Sequence, residues 1–263
     1  MTFLCAPRAS RALPILALLA LLAPVPGSAA TVADDLAAGD AAYARGALAE
    51  AHTHLLTALA AEPGRFGTLW RLARVESELG EDQKGEAQRR LVSDAVTRAR
   101  GAVKAAPDSS AGHAWLAIAL GRQALKEGPR ARLALSREIK SEADRAVELD
   151  PSNARAWHVL GAWNRKIAGL SAIERMAANA VLGGVPRGAS MDNAVRNFEK
   201  AIELEPHYVN HHLELGRTFR EMKRWGEARR ELEKAAALPP TSNPRDPVYQ
   251  QEARELLAKL PKG

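Results

Sequence analysis

Seven histidines are the residues of this sequence best suited to metal chemistry, because a neutral imidazole nitrogen is a common metal ligand. His207 and His211 are four residues apart, with His212 beside them, so two of these rings can share one face of a helix. No carboxylate completes the set in the pattern of a zinc hydrolase, and the sequence contains no nucleophile elbow and no phosphate-binding glycine loop. We therefore expect ordinary surface histidines, no metal or other cofactor, and no enzymatic activity.

A second group of residues has the chemistry to bind a charged partner. Their positions are those that face the concave surface in arrays of helical hairpins, and the polar members are Arg155, His158, Arg165, Lys166, Asn210, Arg217 and Arg220. The same rule selects one acidic residue, Glu221, against five basic ones. Because an arginine can hold a carboxylate or a phosphate by two hydrogen bonds, this surface is predicted to attract an acidic segment of a protein or peptide, or an anionic lipid headgroup. The alternative is that these charges only solvate the surface.

These residues need helices to position them, and a repeated pattern predicts five helical hairpins. Six residues that begin with alanine and end with proline recur at 58–63, 102–107, 146–151, 201–206 and 235–240. Successive copies are 44, 44, 55 and 34 residues apart, which corresponds to a repeat of about 34 residues with or without an insertion. The alanine allows close approach of paired helices, and the proline ends the second helix. Since no segment alternates with period two over the length of a strand, the predicted fold class is all-α.

The largest insertion separates two halves of one repeat. Trp-x-x-Leu-Gly precedes it and Ala-x-x-x-Phe-x-x-Ala-x-x-x-x-Pro follows it, and together these halves resemble a tetratricopeptide repeat lengthened by about 21 residues. The residues expected to build this repeat and the next are Trp157, Gly161, Ala194, Phe198, Ala201, Pro206, Gly216 and Ala228. A small residue is expected at Gly161 because the two helices of the pair cross there.

The interrupted repeat also resembles a particular family. The segments that carry the likeness are Gly161-Ala162-Trp163, Ala168-Gly169-Leu170-Ser171, Glu174-Arg175 and Pro186. Over roughly residues 70–260 the chain resembles the regulator of microtubule dynamics family. The resemblance implies a helical-repeat fold with an interrupted repeat. For the family it also implies an association with microtubules and, in part, with membrane contact sites and phospholipids.

The first residues have the pattern of a secretory signal peptide. Arg8 and Arg11 precede an apolar run at 13–25, and small residues follow at 27–30. Cleavage would remove Cys5, the only cysteine, and lower the formal net charge from +6 to +4, which is too small an excess to indicate nucleic-acid binding. We therefore predict a periplasmic protein that does not span the membrane once cleaved, and a retained anchor is the alternative. An exported chain would not share the cytoskeletal role of the family.

The predicted organisation is a right-handed solenoid capped at its C-terminal end. It places a signal peptide at 1–29, a repeat domain at 30–246 with repeats at about 32–65, 67–109, 112–153, 154–208 and 209–242, and a capping helix at 247–263. A helix within the insertion is predicted from Ser171 to Leu182. Its apolar stripe is Ile173, Met176, Ala177, Ala180 and Val181. We expect this stripe to pack on the adjacent repeats, and a lid over a ligand is the alternative.

The functional prediction follows from the repeats. Such an array is expected to be a non-enzymatic, exported scaffold that binds a partner protein or peptide in its groove. The alternative is a lipid-binding or lipid-transfer module with the insertion as its lid.

Overall fold

A computed structural model of the chain describes residues 2, 31–181 and 184–261 and contains only helices there. The predicted signal peptide at 1–29 therefore lies outside the described residues, apart from Thr2. The helices are α1 (Val32–Ala44), α2 (Leu48–Ala61), α3 (Phe66–Asp82), α4 (Gly85–Ala105), α5 (Ser110–Ala124), α6 (Pro129–Leu149), α7 (Ala154–Ala168), α8 (Ala172–Val181), α9 (Met191–Leu204), α10 (Val209–Glu221), α11 (Trp225–Ala237) and α12 (Asp246–Ala258).

Ten of these helices pair into five hairpins, which confirms the predicted fold class. The pairs are α1 with α2, α3 with α4, α5 with α6, α7 with α9, and α10 with α11. Successive first helices also contact one another along the array, from α1 through α3, α5 and α7 to α10. The result is a solenoid of the tetratricopeptide type, with α8 inserted into the fourth hairpin.

Small residues lie where paired helices cross, as the repeat pattern predicts. A Cβ atom added at Gly161 would lie 2.9 Å from the ring of Phe198, which is fully buried. In the next hairpin a Cβ atom added at Gly216 would lie 2.7 Å from Leu232. The repeat alanines Ala194, Ala201 and Ala228 are also fully buried. Any larger side chain at these crossings would push the two helices of a pair apart.

The repeat-ending prolines have a second role that the pattern does not reveal. Six residues after the proline, a ring N–H donates a hydrogen bond to its carbonyl oxygen: Trp157 Nε1 to Pro151 at 2.8 Å and His212 Nε2 to Pro206 at 3.0 Å. The other ring nitrogen of His212 lies 2.7 Å from Glu231 Oε2 on α11. His113 repeats this arrangement with Pro107 and Glu142. These rings therefore fasten the turn before a first helix, and His212 is a buried structural residue and not a surface one.

The last helix covers the end of the array, as predicted. Helix α12 packs on α10 and α11, with Ala253 and Leu260 buried in the cluster formed by the fourth and fifth hairpins. Leu256 and Leu257 pack against the same cluster. Without α12, this apolar surface would face water.

The inserted helix is held at its N-terminal end. Ser171 and Glu174 form a capping box, in which Ser171 N donates to Glu174 Oε2 at 2.8 Å. The guanidinium of Arg175 donates to the carbonyl oxygens of Ile167 at 2.8 Å and Ala168 at 2.7 Å, in the last turn of α7. The Glu-Arg pair of the insertion therefore has a local structural role.

The predicted packing of the α8 stripe is wrong. Ile173 is 75% exposed and Met176 is 68% exposed, while Ala178 on another face is buried. The helix is fixed by Arg175 and the capping box, so it does not need its longest apolar side chains for attachment. Ala180 is also exposed, and Leu182, where the helix was predicted to end, lies outside the described residues.

Candidate partner-binding groove

The first helices of the hairpins contact one another along the array, and we call the surface that they share the groove. Tyr43 of α1, Trp70 and Arg74 of α3, Trp115 of α5 and Arg155 of α7 border a cavity of about 190 Å³ on this surface. Tyr43 Oη donates to Glu78 Oε1 at 2.8 Å, and the guanidinium of Arg74 lies 3.7 Å from the centre of the Tyr43 ring. The groove therefore combines aromatic faces with charged groups.

A buried carboxylate lies beneath this part of the groove. Glu78 is almost fully buried, and burial raises the pKa of its carboxyl group despite the hydrogen bond from Tyr43. Its second oxygen, Oε2, has no hydrogen-bond partner among the described residues. The positional rule that selects groove-facing residues also selects Glu78, but it does not predict the burial of its carboxylate, because that depends on α1 as much as on its own helix.

The groove is occupied by residues 239–245 of the same chain, the segment between α11 and α12. Asn243 Nδ2 donates to Tyr208 Oη at 2.6 Å. Arg245 Nη1 donates to Asp82 Oδ1 at 2.6 Å, and Arg245 Nε lies 2.6 Å from Glu81 Oε2. Glu81 and Asp82 end α3 in the second hairpin, so this segment reaches back across the array. The sequence identifies it only as a turn-rich linker.

The 239–245 segment is also shaped by its own hydrogen bonds. Asp246 Oδ2 accepts from Thr241 N at 2.6 Å and from Thr241 Oγ1 at 2.7 Å. Asn243 Oδ1 accepts from Arg245 N at 2.8 Å. Asp246 is fully buried, so the segment leaves α11 and enters α12 in a defined conformation.

Arg155 is a predicted site residue that borders the same cavity as this segment. Its guanidinium stacks 3.8 Å from the centre of the Tyr208 ring, and its Nε donates to Glu205 Oε2 at 3.3 Å. It also borders the cavity beside Thr241 and Ser242. Arg155 therefore lies at the cavity with a carboxylate already beside it, and its role in binding a partner stays a prediction.

Arg165 and Arg217 are already paired with carboxylates, which the sequence rule did not anticipate. Arg165 is only 6% exposed and pairs with Glu214 and with Glu221, the latter at 2.7 Å. Arg217 is partly exposed and lies 2.6 Å from Glu214, and it also pairs with Glu252 of α12. The expectation that Arg165 lies outside the core is wrong.

The predicted basic excess of the C-terminal half is therefore largely neutralised. The rule counted only residues at selected positions of α7 and α10, whereas the neutralising carboxylates come from Glu205 before α10, Glu214 within it and Glu252 in α12. Lys166 is exposed, and Arg220 and Asn210 are partly exposed. Among the described residues, neither Lys166 nor Arg220 has a carboxylate partner.

His158 lies against a second histidine and not against solvent. Its Nδ1 is 2.8 Å from Nδ1 of His211, so one neutral ring donates to the other. Phe198 and Tyr208 contact this pair edge-on, with ring centroids 5.2 Å from His158 and 4.5 Å from His211. Burial lowers the pKa of His211 to about 4 and that of His158 well below its usual value. His211 is fully buried, so it is also not the surface residue predicted from the sequence.

Within residues 31–181 and 184–261, no group of three or more histidine, cysteine, aspartate or glutamate side chains is arranged to hold a metal ion. His207 is exposed, His211 faces His158, and His212 bridges Pro206 and Glu231. The three neighbouring histidines thus point to three different environments. The same described stretches contain no helix long and apolar enough to span a membrane.

The model of the family described as Regulator of microtubule dynamics protein 1-3 matches residues 33–261. The chain belongs to this family. It is 32% identical over 196 residues to Regulator of microtubule dynamics protein 3 of Rattus norvegicus, which covers 74% of this chain and 41% of the rat protein. It is 31% identical over 234 residues to Regulator of microtubule dynamics protein 1 of Mus musculus, covering 88% of this chain and 75% of that protein. The chain thus spans about two fifths of the rat protein.

A solved structure supports the fold of this family member. The crystal structure of TTC0263, a tetratricopeptide repeat protein of Thermus thermophilus, has a TM-score of 0.64 at 21% identity and covers 87% of this chain and 100% of its own. At this level of identity the likeness concerns the fold alone.

The relatives overturn the predicted location. Curated relatives come from rat, mouse and, at 29% identity, Caenorhabditis elegans, and these are eukaryotic regulators of microtubule dynamics. These relatives point away from a bacterial periplasm, so the prediction of a periplasmic protein is wrong. It had rested on residues 1–29, whose composition alone does not identify the compartment.

Proposed function

We propose that this family member is a non-enzymatic interaction scaffold that holds a partner protein or peptide in its groove. The observation that carries the proposal is the 239–245 segment, which lies on the groove through side-chain hydrogen bonds and ion pairs. Those contacts are of the kind that an extended peptide needs in order to bind a preformed surface.

The side chains around the segment supply further contacts. Trp70 and Trp115 border the cavity, with Trp70 the less buried of the two, and Arg155 offers a cation next to the Tyr208 ring. Aromatic and arginine side chains are the types that contribute most to binding at protein interfaces. These groups are displayed on helices, so little ordering is needed when a partner binds.

Acidic residues of a partner would meet Lys166 and Arg220, near the ends of the neighbouring helices α7 and α10. Each exposed ion pair contributes about 0.2–1 kcal/mol, so these two cations adjust affinity and do not supply most of it. The five-residue basic site predicted from the sequence is reduced to these two, because Arg155, Arg165 and Arg217 have partners within the protein.

The lipid-binding alternative lacks a supporting observation among the described residues. A lid would direct its apolar side chains toward a cavity, whereas Ile173 and Met176 of α8 are exposed. The cavity beside the groove is bordered by arginines and by polar residues of the 239–245 segment.

The test is selection of binding peptides from a displayed random library, followed by photocrosslinking of the enriched peptides to the purified protein. Crosslinks are expected on α1, α3, α5, α7 and α10. Crosslinks confined to the second helices α4, α6 and α11 would contradict the proposal. Lys166→Glu with Arg220→Glu should weaken acidic peptides about tenfold, whereas the matched reversal of Arg89 and Arg90, exposed on α4, should leave their affinity unchanged.

A further inference from the structure

We propose that Glu81 and Asp82, at the C-terminal end of α3, form a docking site for an arginine of an extended partner peptide, and that Arg245 of the 239–245 segment fills this site until a partner displaces it. The inference rests on the proposed function, because it names the chemistry of the peptide that the groove would take.

The end of α3 is built to receive a cation. Two carboxylates stand together at a helix C-terminus, where the carbonyl dipoles also favour positive charge. Arg245 reaches both at 2.6 Å, with its side chain only 10% exposed. Arg122 of α5 pairs with Glu81 from the other side, so Glu81 is held in place by the array itself. Asp82 remains half-exposed and within reach of a partner.

Two further contacts define a short recognition pattern around the arginine. Asn243 is buried and donates to Tyr208 Oη, and Pro244 lies next to Gly46, at 3.6 Å from the position of an added Cβ atom. Gly46 has a φ of +78°, a backbone conformation that favours glycine. The three consecutive residues Asn-Pro-Arg therefore each meet a separate part of the array.

The segment is attached in a way that permits exchange. Residues 239–242 are exposed, and none of residues 239–245 is helical. Helix α12 is anchored separately by Ala253 and Leu260, so release of the segment does not require the cap to leave. Local opening of a short non-helical stretch needs less free energy than global unfolding. The neighbouring cavity of about 190 Å³ leaves room for side chains of a longer peptide.

Because the chain's own 239–245 segment occupies the groove, it lowers the apparent affinity for a partner. A partner competes with an intramolecular segment, so its apparent affinity falls in proportion to the fraction of molecules whose groove is open. Removing the internal contacts should therefore raise affinity for a peptide that carries the same residues.

The probe is a fluorescein-labelled synthetic peptide with the sequence of residues 239–247, and the readout is fluorescence anisotropy. The variant Asn243→Ala with Arg245→Ala should bind the probe at least tenfold more tightly than the wild type. Adding Glu81→Gln and Asp82→Asn to that variant should abolish the gain, and so should a probe in which alanine replaces the arginine. Arg254→Ala, on the exposed side of α12, is the matched control and should bind like the wild type.

In a second variant, residues 240–245 are replaced by glycine and serine. This variant tests the same inference if the first one does not fold. Equal binding of the probe to the wild type and to both opened variants would overturn the inference, and so would loss of cooperative unfolding in both variants. If library peptides crosslink to the groove but their binding does not depend on Glu81 and Asp82, this inference fails while the proposed function stands. If no peptide binds even the opened groove, both fail.

Discussion

Gly161 shows how a single hydrogen atom determines the geometry of a hairpin. Gly161→Ala should lower the free energy of unfolding by about 1–3 kcal/mol, because the new methyl group would lie 2.9 Å from the buried Phe198 ring. Gly121, on α5, has no atom within 4 Å of an added Cβ, so Gly121→Ala should raise stability by up to about 1 kcal/mol through helix propensity. Urea unfolding of the two variants measures this difference in sign, and equal effects would contradict it.

The pair of His158 and His211 should make stability depend on pH. Burial lowers the pKa of His211 to about 4, whereas an unfolded histidine titrates near 6.5, so the unfolded chain binds more protons between these values. The stabilisation is complete above about pH 6.5 and is lost as the pH falls toward 4. At about 1.4 kcal/mol per unit, the loss is on the order of 2–3 kcal/mol. Glu205, 3.4 Å from His211 Nε2, opposes this trend, and Arg155 reinforces it.

Chemical unfolding at intervals from pH 7 to pH 4.5 measures that slope. His211→Gln should make the slope less steep, because the amide keeps a hydrogen bond to His158 without taking up a proton, and the contribution of His158 remains. His207→Gln changes an exposed neighbour and should retain the wild-type slope. Identical slopes for the two variants would show that the buried pair is not responsible.

At the level of the helices, an arginine side chain caps the C-terminal end of two different first helices. Arg175 donates to the last carbonyl oxygens of α7, and Arg132 does the same for α5, with its Nε 3.0 Å from Ala124 O. Arg175→Ala should therefore leave α8 without its main anchor and speed amide hydrogen exchange at residues 171–181. Global stability should change by less than about 1 kcal/mol, because Ile173 and Met176 bury little apolar surface.

Mass-spectrometric hydrogen exchange of the intact protein provides the measurement. Arg187→Ala, an exposed arginine in the same insertion, is the control and should leave the exchange of α8 unchanged. If Arg175→Ala exchanged like the wild type at 171–181, the arginine would not be the anchor of the inserted helix.

The helices and their crossings follow from local rules, which is why the sequence predicts them well. Gly161, Ala201 and Pro206 carry information about a single hairpin, and a repeat of known length gives their partners. The groove depends on contacts between distant parts of the chain. From the sequence, Arg165 is interpreted as a surface cation, because nothing in the sequence places Glu214 of α10 beside it. Arg245 is interpreted as part of a linker for the same reason, and only the fold places Asp82 beside it. No periodicity in the sequence encodes a pair separated by 163 residues.

At the level of the whole molecule, the ion pair between Arg245 and Asp82 ties the 239–245 segment to a distant hairpin, and we call this connection the brace. Repeat arrays are held mainly by contacts between neighbouring hairpins, so their curvature is soft. Here the 239–245 segment joins the second hairpin to the fifth through Arg245 and Glu81, and meets the fourth-to-fifth turn through Asn243 and Tyr208. The segment therefore connects hairpins that are not neighbours in the array.

Releasing the brace should open the solenoid. In Asn243→Ala with Arg245→Ala, the carboxylates of Glu81 and Asp82 lose a cation, and small-angle X-ray scattering should show a larger radius of gyration than that of the wild type. The free energy of unfolding should fall by about 1–3 kcal/mol as those groups lose their partner. Arg254→Ala removes a cation of the same type from α12 without touching the segment and should scatter like the wild type. If the scattering curves of the wild type, the double variant and Arg254→Ala superimposed, contacts between neighbouring hairpins alone would set the curvature. The 239–245 segment would then have no effect on the shape of the array.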